Sequence, residues 1–382
     1  MSNDEGASHG IPPNDLENLI DKRELEIFKI FLDDELIELM VRETNRYAEQ
    51  VLIEKINDES ITCNSRLNDW VETNAVEIRS ELYNSPARKF MSRNKFEILL
   101  RMWHFADNAA CPPGDRLHKV QILISYLVSK YQKFYIPSET VCIDETMVPF
   151  RLYVNGGYTC NMKIYCGKES ENDGVSVADK VVLGLMNNLL DSGRTLFTDN
   201  WYTSVGLVRK LATRGTHLVG TLRSNRKYNP KNVITASLNQ GQIFGMESDD
   251  GITILKWKDK RDVLMLSTKH GIETTNIGQR QKLVAIIDYN AAKSFIDVSD
   301  QRASYSSAVR KALKWYRKVA VEALLRTTIV NSLFLYNKIN GKKTSIIKFR
   351  KNLCSQLLHY SQPANVGNIA RPPSNTHKLE VA

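Results

Sequence analysis

The order of the predicted secondary-structure elements in the middle of the chain limits the folds that it can form. An alternating run over residues 141–145 predicts a strand, and two apolar runs around the turn residues 155–157 predict a β-hairpin. A helical pattern over residues 175–190, a short buried strand at residues 195–198 and a second helix over residues 204–214 follow. Strands and helices that alternate in this order predict a mixed α/β fold.

Acidic residues lie where these predicted elements end. Asp144 lies at the end of the first strand, Asp199 directly follows the short buried strand, and Asp297 and Asp300 lie in a short helical pattern. Taken singly, an aspartate at such a position is more often a helix cap or a solvated turn residue. Together the four residues predict a carboxylate cluster that binds two Mg²⁺ (or Mn²⁺) ions, because these hard cations prefer oxygen ligands.

Three motifs in a fixed order resemble the piggyBac transposase family. They are Ile143-Asp-Glu-Thr-Met-Val-Pro-Phe-Arg151, Thr198-Asp-Asn-Trp-Tyr-Thr-Ser204, and Asp297-Val-Ser-Asp-Gln301 followed by Lys314-Trp-Tyr-Arg-Lys318. Similar segments begin at residues 31–39, so the resemblance covers most of the chain. The resemblance implies an RNase H-like catalytic core. In that core Asp144, Asp199 and Asp297 would form the catalytic triad, with Asp300 assisting.

The same resemblance implies a function and partners. It implies metal-dependent DNA strand cleavage and transfer at transposon ends, with TTAA targets. Double-stranded DNA is the expected partner, together with a homodimeric partner chain, and the expected location is the nucleus. The competing interpretation is a domesticated or decayed, catalytically inactive protein that binds DNA or chromatin.

Several segments of the family's pattern are missing from this sequence. A long apolar helix is expected after residues 70–78, and a basic loop is expected after residues 147–151, but neither is present. Ser294 and Phe295 stand where many members have two glycines. The family's cysteine-rich C-terminal module has no counterpart, and the six cysteines include no C-x-x-C pair, so a zinc site is not expected. The gaps favour an inactive protein or an incomplete gene model, whereas the retained acids favour an enzyme.

Basic residues are in excess over acidic ones. The sequence has 52 Lys and Arg against 43 Asp and Glu, a net charge of +9 that favours polyanionic partners. Between residues 217 and 288, where strands are predicted (among them one at residues 284–287), basic and aromatic residues concentrate. A solvated hairpin surface and a DNA-binding groove both account for this composition, and the family resemblance favours DNA contact. The residues predicted to bind DNA are Arg223, Arg226, Lys227, Lys256, Trp257, Lys258, Lys260 and Arg261.

The predicted fold class is α/β: an RNase H-like catalytic core with a β-rich insertion, flanked by helical N- and C-terminal segments. No apolar stretch approaches the length of a membrane span, so no membrane partner is expected. The predicted regions are a disordered arm (1–21), a helical N-terminal dimerisation and DNA-binding region (22–135), the core (136–306, with the insertion over about 228–282), a C-terminal helix that packs on the N-terminal region (307–340), and a basic, flexible tail (341–382).

Overall fold

The structure, a computed structural model, describes residues 9–63, 65–82, 92–145, 149–165, 175–278, 280–305 and 314–360. The α-helices are α1 (Pro13–Leu19), α2 (Glu24–Lys29), α3 (Asp34–Asn57), α4 (Ala75–Leu82), α5 (Arg93–Met102), α6 (His118–Phe134), α7 (Val177–Met186), α8 (Val205–Ala212), α9 (Lys231–Thr235), α10 (Val284–Ser304), α11 (Trp315–Glu322), α12 (Thr328–Asn340) and α13 (Ile346–Tyr360). The strands are β1 (Thr140–Glu145), β2 (Pro149–Val154), β3 (Tyr158–Ile164), β4 (Thr195–Thr198), β5 (His217–Thr221), β6 (Ile243–Glu247), β7 (Thr253–Lys258), β8 (Asp262–Ser267), β9 (Thr274–Ile277) and β10 (Arg280–Leu283).

Eight of these strands form one mixed sheet in the order β3-β2-β1-β4-β5-β8-β7-β6. The central strands β1, β4 and β5 are parallel, and β2 and β3 continue the sheet as an antiparallel hairpin. The hairpin turns at residues 155–157, where Gly156 and Gly157 both have a positive φ. The mixed α/β fold and the strands predicted around this turn are therefore confirmed.

The sheet separates two apolar cores, because successive side chains of a strand point to opposite faces. On one face Val141, Ile143 and Leu196 join the larger core, which contains side chains of α6, α7, α8 and α12. On the other face Cys142 and Phe197 pack against α10. Asp144 lies two residues after Cys142, and Asp199 lies two residues after Phe197. Both acids therefore point to the α10 face.

The segment 284–287 is the start of α10, and the strand predicted there is wrong. Its β-branched residues favour a strand locally, but the apolar pattern continues at helical spacing through Ala292, Phe295 and Ile296, all of which are buried. Burial of that longer face on the sheet outweighs the local strand preference. As a result, Asp297 and Asp300 lie in one helix of 21 residues rather than in a short one.

The predicted β-rich insertion contains strands, and three of them extend the main sheet. β8 pairs antiparallel with β5, and β7 and β6 follow outward. The hairpin of β9 and β10 forms a separate two-stranded sheet that leads directly into α10. The segment therefore covers the edge of β5 that would otherwise expose unpaired backbone groups.

Both terminal regions are more ordered than the sequence indicated. Residues 9–21 were predicted to belong to a disordered arm, but they contain α1, and Gly10 and Ile136 exchange two backbone hydrogen bonds of 2.9 Å. Residues 346–360 were predicted to belong to a flexible tail, but they form α13. Asn352 and Gln356 of α13 each donate to the Glu24 carboxylate on α2 at 2.7 Å. Residues 1–8, 306–313 and 361–382 lie outside the described residues.

The C-terminal helices pack on the N-terminal ones. α11 contacts α6, and α12 contacts α2. Together with the π-helical turn Ala323–Thr327, α11 and α12 form one continuous helix over residues 315–340. Among the described helices, this is the one that is long and apolar enough to cross a membrane by length and composition, and 72% of its most apolar stretch is buried inside the fold.

Asn331 on α12 is expected to be essential to the edge strand β3. Its side chain accepts a hydrogen bond from the Thr159 N–H and donates one to the Thr159 carbonyl, both at 2.9 Å, and both residues are buried. The Asn331→Leu variant leaves two buried backbone groups without a partner, so its free energy of unfolding should fall by about 2–5 kcal/mol. Urea denaturation measures this change. A similar loss in Asn340→Leu, whose amide nitrogen bonds among the described residues to the Tyr336 carbonyl of its own helix, would contradict this explanation.

Candidate active site

Asp144 and Asp199 occupy matching positions on neighbouring parallel strands. Ile143 of β1 is paired with Thr198 of β4, and each acid is the next residue along its strand. Neighbouring strands lie about 4.8 Å apart. The two side chains therefore leave the same edge of the sheet side by side, on the face that α10 covers.

A hydrogen-bonded turn fixes the position of Asp199. Its side-chain Oδ1 accepts from the Trp201 N–H at 2.9 Å. Its carbonyl accepts from the Thr203 N–H at 3.1 Å and from the Thr203 hydroxyl at 2.7 Å. Ser204 then caps α8 through the Leu207 N–H at 3.1 Å. The turn joins a buried strand to a capped helix, so the Asp199 backbone has little freedom to move.

Asp144 lies in a negatively charged environment. The pKa of Asp144 is raised to about 6, chiefly by partial burial, and the charges of Asp199 and Asp300 contribute in the same direction. The Glu145 N–H, which donates to Asp144 Oδ1 at 2.9 Å, and the Lys293 ammonium oppose this shift. A bound divalent cation would reverse it by favouring the ionised carboxylate.

Asp297 and Asp300 lie on α10, one helical turn apart. Partial desolvation raises the pKa of Asp300 although its side chain has an exposed surface, and nearby Glu322 and Asp297 act in the same direction. The positive charges of Arg151 and Arg326 oppose this effect. Burial raises the pKa of the Cys142 thiol, which lies under α10 on β1, and the charges of Asp144, Asp199 and Asp297 add to the rise. The α10 acids therefore belong to the same electrostatic neighbourhood as the strand acids.

The donor set suits a hard divalent cation, but the acids are not closely assembled. Carboxylates from two strand ends and one helix are the ligands that Mg²⁺ or Mn²⁺ prefers. Within the described ranges, however, no three His, Cys, Asp or Glu side chains lie close enough to hold a metal ion together. Residues 146–148, which follow Asp144 in the first motif, lie outside the described residues. The structure thus brings Asp144 and Asp199 together as a pair, with Asp297 and Asp300 on the helix that covers them.

Arg151 is a residue of this neighbourhood that sequence reasoning missed. It stands opposite Asp144 on β2 and is only 2% exposed. Its Nη2 donates to Glu322 Oε1 at 2.8 Å, and Glu322 Oε2 accepts from Arg326 Nη1 at 2.6 Å. The sequence does contain a signal for this residue, since Arg151 lies within an otherwise apolar strand. Arginine is rarely buried without a partner, so its position there indicates a buried ion pair.

The residues predicted to bind DNA fall into two groups. The side chains of Arg223, Lys227, Lys260 and Arg261 are exposed. Arg223 Nε donates to Asn200 Oδ1 at 2.9 Å, and Arg226 donates to the Trp201 carbonyl. These two arginines therefore contact the turn that carries Asp199, and DNA contact by the exposed side chains stays a prediction.

The second group, Lys256, Trp257 and Lys258, is built into the sheet. Lys256 is buried, and its ammonium donates to the carbonyls of Ile234 at 3.1 Å and Ala236 at 2.7 Å. Lys258 pairs with Asp262 at 2.6 Å, and the Trp257 ring packs against the core under α10. Lys256 therefore has no exposed charge with which to contact a phosphate.

The Asp144→Asn variant is expected to be more stable than the wild type at neutral pH without metal. The folded-state pKa of about 6 lies above the ordinary value of 3.8, so the folded state binds more protons than the unfolded state between these values. The wild type therefore loses stability as pH rises through about 6. The variant should gain about 1–3 kcal/mol at pH 7.5 and nothing at pH 3.5. Urea denaturation at both pH values measures the difference, and a gain of equal size at both would contradict the assigned cause.

Comparison with known proteins agrees with the motifs. The family described as Transposase IS4 matches residues 23–156 and 150–333. The human piggyBac transposable element-derived protein 3 is 26% identical over 418 aligned positions, which cover 94% of this chain and 69% of that protein. The human piggyBac transposable element-derived protein 2 is 23% identical over 304 positions, which cover 66% of this chain and 50% of that protein. The first alignment is longer than the 382-residue chain, so that relative has segments that this chain lacks.

A solved structure shows the same fold. The cryo-EM structure of a piggyBac transposase synaptic complex with hairpin DNA matches with a TM-score of 0.76 and 22% identity, over 93% of this chain and 83% of that one. The predicted α/β fold, an RNase H-like core between helical N- and C-terminal segments, is therefore confirmed. Since the family match covers most of the sequence and spans the three motifs, the chain belongs to the Transposase IS4 family, and it is similar to the piggyBac transposable element-derived proteins.

Proposed function

We propose that this chain is a metal-dependent DNA transposase that cleaves and transfers strands at transposon ends, with TTAA targets in nuclear DNA. The observation that carries the proposal is the matching position of Asp144 and Asp199 on two parallel strands, on the face covered by α10. The raised pKa of Asp144 supports it, because a partly buried carboxylate beside the charges of Asp199 and Asp300 favours a bound cation. Family membership gives the reaction class.

Each acid has a distinct part in the proposal. Asp144 and Asp199 would hold a divalent cation, Mg²⁺ or Mn²⁺, with Asp297 as the further ligand and Asp300 assisting from the next turn of α10. When bound, such ions activate a water or a 3′-hydroxyl and stabilise the charge of the attacked phosphodiester. Arg151 and Arg326 favour the ionised form of Asp300. Lys293 places a positive charge near Asp144.

Double-stranded DNA is the proposed substrate, and a homodimer is the proposed assembly. The net charge of +9 favours a polyanion, and Lys227, Lys260 and Arg261 present exposed charges that suit phosphate contacts. Arg223 and Arg226 connect this basic segment to the Asp199 turn through Asn200 and Trp201. DNA bound at the segment would therefore lie next to the acids.

A specific observation also favours the second candidate function, that of an inactive DNA-binding protein. Among the described side chains, no three acids converge on one metal-sized space. The alignment with the human piggyBac transposable element-derived protein 3 in addition contains segments without counterpart in this chain. A protein of this kind would keep the basic surface and the fold but would not assemble the carboxylates.

Calorimetric titration of the purified protein with Mn²⁺ separates the two candidates. An active transposase should bind Mn²⁺ saturably, and Asp199→Ala and Asp297→Ala should each weaken the affinity by at least about tenfold, because each removes a charged ligand. Asp191→Ala is the matched control, since Asp191 is an exposed aspartate paired with Arg214. No binding by a folded wild type that retains DNA affinity would favour the inactive protein.

A further inference from the structure

Strand β6 lies at an open edge of the eight-stranded sheet. It pairs with β7 on one side, and among the described residues no strand pairs with it on the other. Its even-numbered residues bond to β7, as the Ser248 N–H, just after the strand, donates to the Ile252 carbonyl at 3.0 Å. Backbone groups alternate in direction along an antiparallel strand, so the N–H and C=O groups of Ile243, Gly245 and Glu247 point away from the sheet.

The opposite edge of the sheet is closed, whereas the β6 edge is not. At the β3 edge, Asn331 bonds to both backbone groups of Thr159. No described residue makes a comparable bond to the outer groups of β6. The strand also contains no proline, lysine or bulge, features that usually keep an edge strand from pairing. It exposes two apolar side chains instead, Phe244 at 39% and Met246 at 43%. This edge is therefore suited to pair with a further strand.

The sequence of β6 is complementary to a second copy of itself. In an antiparallel pair centred on Gly245, Ile243 faces Glu247 of the second copy, and Phe244 faces Met246 of the second copy. The outer backbone groups then form about six hydrogen bonds. Phe244 and Met246 meet as a non-hydrogen-bonded pair, in which side chains lie closest and a sulfur–aromatic contact is favourable. The pairing would thus cover both exposed apolar side chains of each copy.

The charges at the two ends of β6 are also complementary. The turn after β6 carries the exposed Glu247 and Asp249, and the turn between β7 and β8, which lies at the other end, carries the exposed Lys260 and Arg261. Antiparallel pairing places the acidic turn of one copy two strands, about 10 Å, from the basic turn of the other. Attraction persists over this distance at moderate salt. A parallel pair would instead bring the two acidic turns together.

We propose that the outer edge of β6 pairs antiparallel with the same strand of a second copy of this chain. Each chain contributes the same surface, so the contact is isologous and joins the two sheets into one. The inference rests on the homodimer of the proposed function and assigns it a surface outside residues 22–135, the region predicted from sequence to dimerise. One short strand from each chain is a small interface, so the dimer should dissociate on dilution.

Glu247→Pro in the full chain tests the pairing. Proline removes the outward N–H and blocks the edge, whereas the β6–β7 hydrogen bonds come from the neighbouring residues and are kept. Sedimentation velocity over a concentration series should show a wild-type dimer and a dissociation constant at least about tenfold higher in the variant. Glu247→Ala is the matched control, because it keeps the N–H, and its increase should be smaller. Both variants should melt within a few degrees of each other.

Disulfide cross-linking tests the register independently. Phe244→Cys chains mixed with tagged Met246→Cys chains should form a mixed disulfide under mild oxidation, because the two positions face each other across the pair. Neither variant alone should cross-link more than the wild type, since residues diagonal to each other lie too far apart for a disulfide. The wild type gives the background from its exposed Cys63 and Cys354.

Each other outcome has a defined meaning. An unchanged dissociation constant in Glu247→Pro, or a wild-type dimer without the mixed disulfide, would overturn this inference and leave the homodimer to another surface, such as residues 22–135. A wild type that stays monomeric at every concentration would overturn both this inference and the homodimer. The metal site is tested separately by the Mn²⁺ titration, so its failure is distinguishable from failure of the β6 pairing.

Discussion

The Asp199→Asn variant should lose Mg²⁺-dependent nicking of plasmid DNA that contains TTAA sites, with the rate lowered by at least about 10³-fold. Asparagine has the size of aspartate but lacks the negative charge that a hard cation requires of its ligand. The fold should be retained, because the asparagine carbonyl can still accept the hydrogen bond from the Trp201 N–H. Gel separation of supercoiled and nicked plasmid over time measures the rates.

The same exchange at Asp191 is the matched control for this prediction. Asp191 is exposed, pairs with Arg214, and has a positive φ of 61°, a conformation that asparagine also tolerates. Asp191→Asn should therefore nick DNA at close to the wild-type rate. Wild-type activity in Asp199→Asn would remove this acid from the site. If the wild type itself is inactive under conditions where it binds DNA, the inactive DNA-binding protein becomes the better account.

The Arg151→Met variant should have the largest effect on stability, lowering the free energy of unfolding by about 3–5 kcal/mol. Arg151 is buried next to the acids, and its guanidinium neutralises one oxygen of Glu322. Methionine fills a similar volume, so the packing should change little. The free energy of unfolding would fall because Glu322 loses Arg151 as a partner and keeps Arg326 in this group. Guanidinium denaturation followed by tryptophan fluorescence measures the change.

A double-mutant cycle with Glu322→Gln tests the cause. If the Arg151–Glu322 pair carries the loss, the double variant should be less destabilised than the sum of the single variants by about 1 kcal/mol or more. Additive effects would mean that each side chain stabilises the protein through other contacts. Since Arg151 also opposes the raised pKa of Asp300, its loss should in addition favour the protonated form of that acid.

The sequence by itself determined the elements that depend on local pattern. β1 and β4 follow from short apolar runs, and the turn at residues 155–157 follows from its glycines. Asp33, Ser92 and Ser204, residue types that favour helix N-termini, cap α3, α5 and α8, and each side chain accepts a hydrogen bond from the first turn of its helix. The motifs identified the family, because their residues and their order along the chain can be read directly from the sequence.

Only the tertiary structure decided which residues meet. The β1–β4 register that sets Asp144 beside Asp199, the Arg151–Glu322 pair and the burial of Lys256 all join positions far apart in sequence. Residues 284–287 became helical because the segment that follows them buries a long apolar face on the sheet. A local pattern specifies periodicity, whereas a register, an ion pair or a covered face depends on contacts that form only when distant segments pack together.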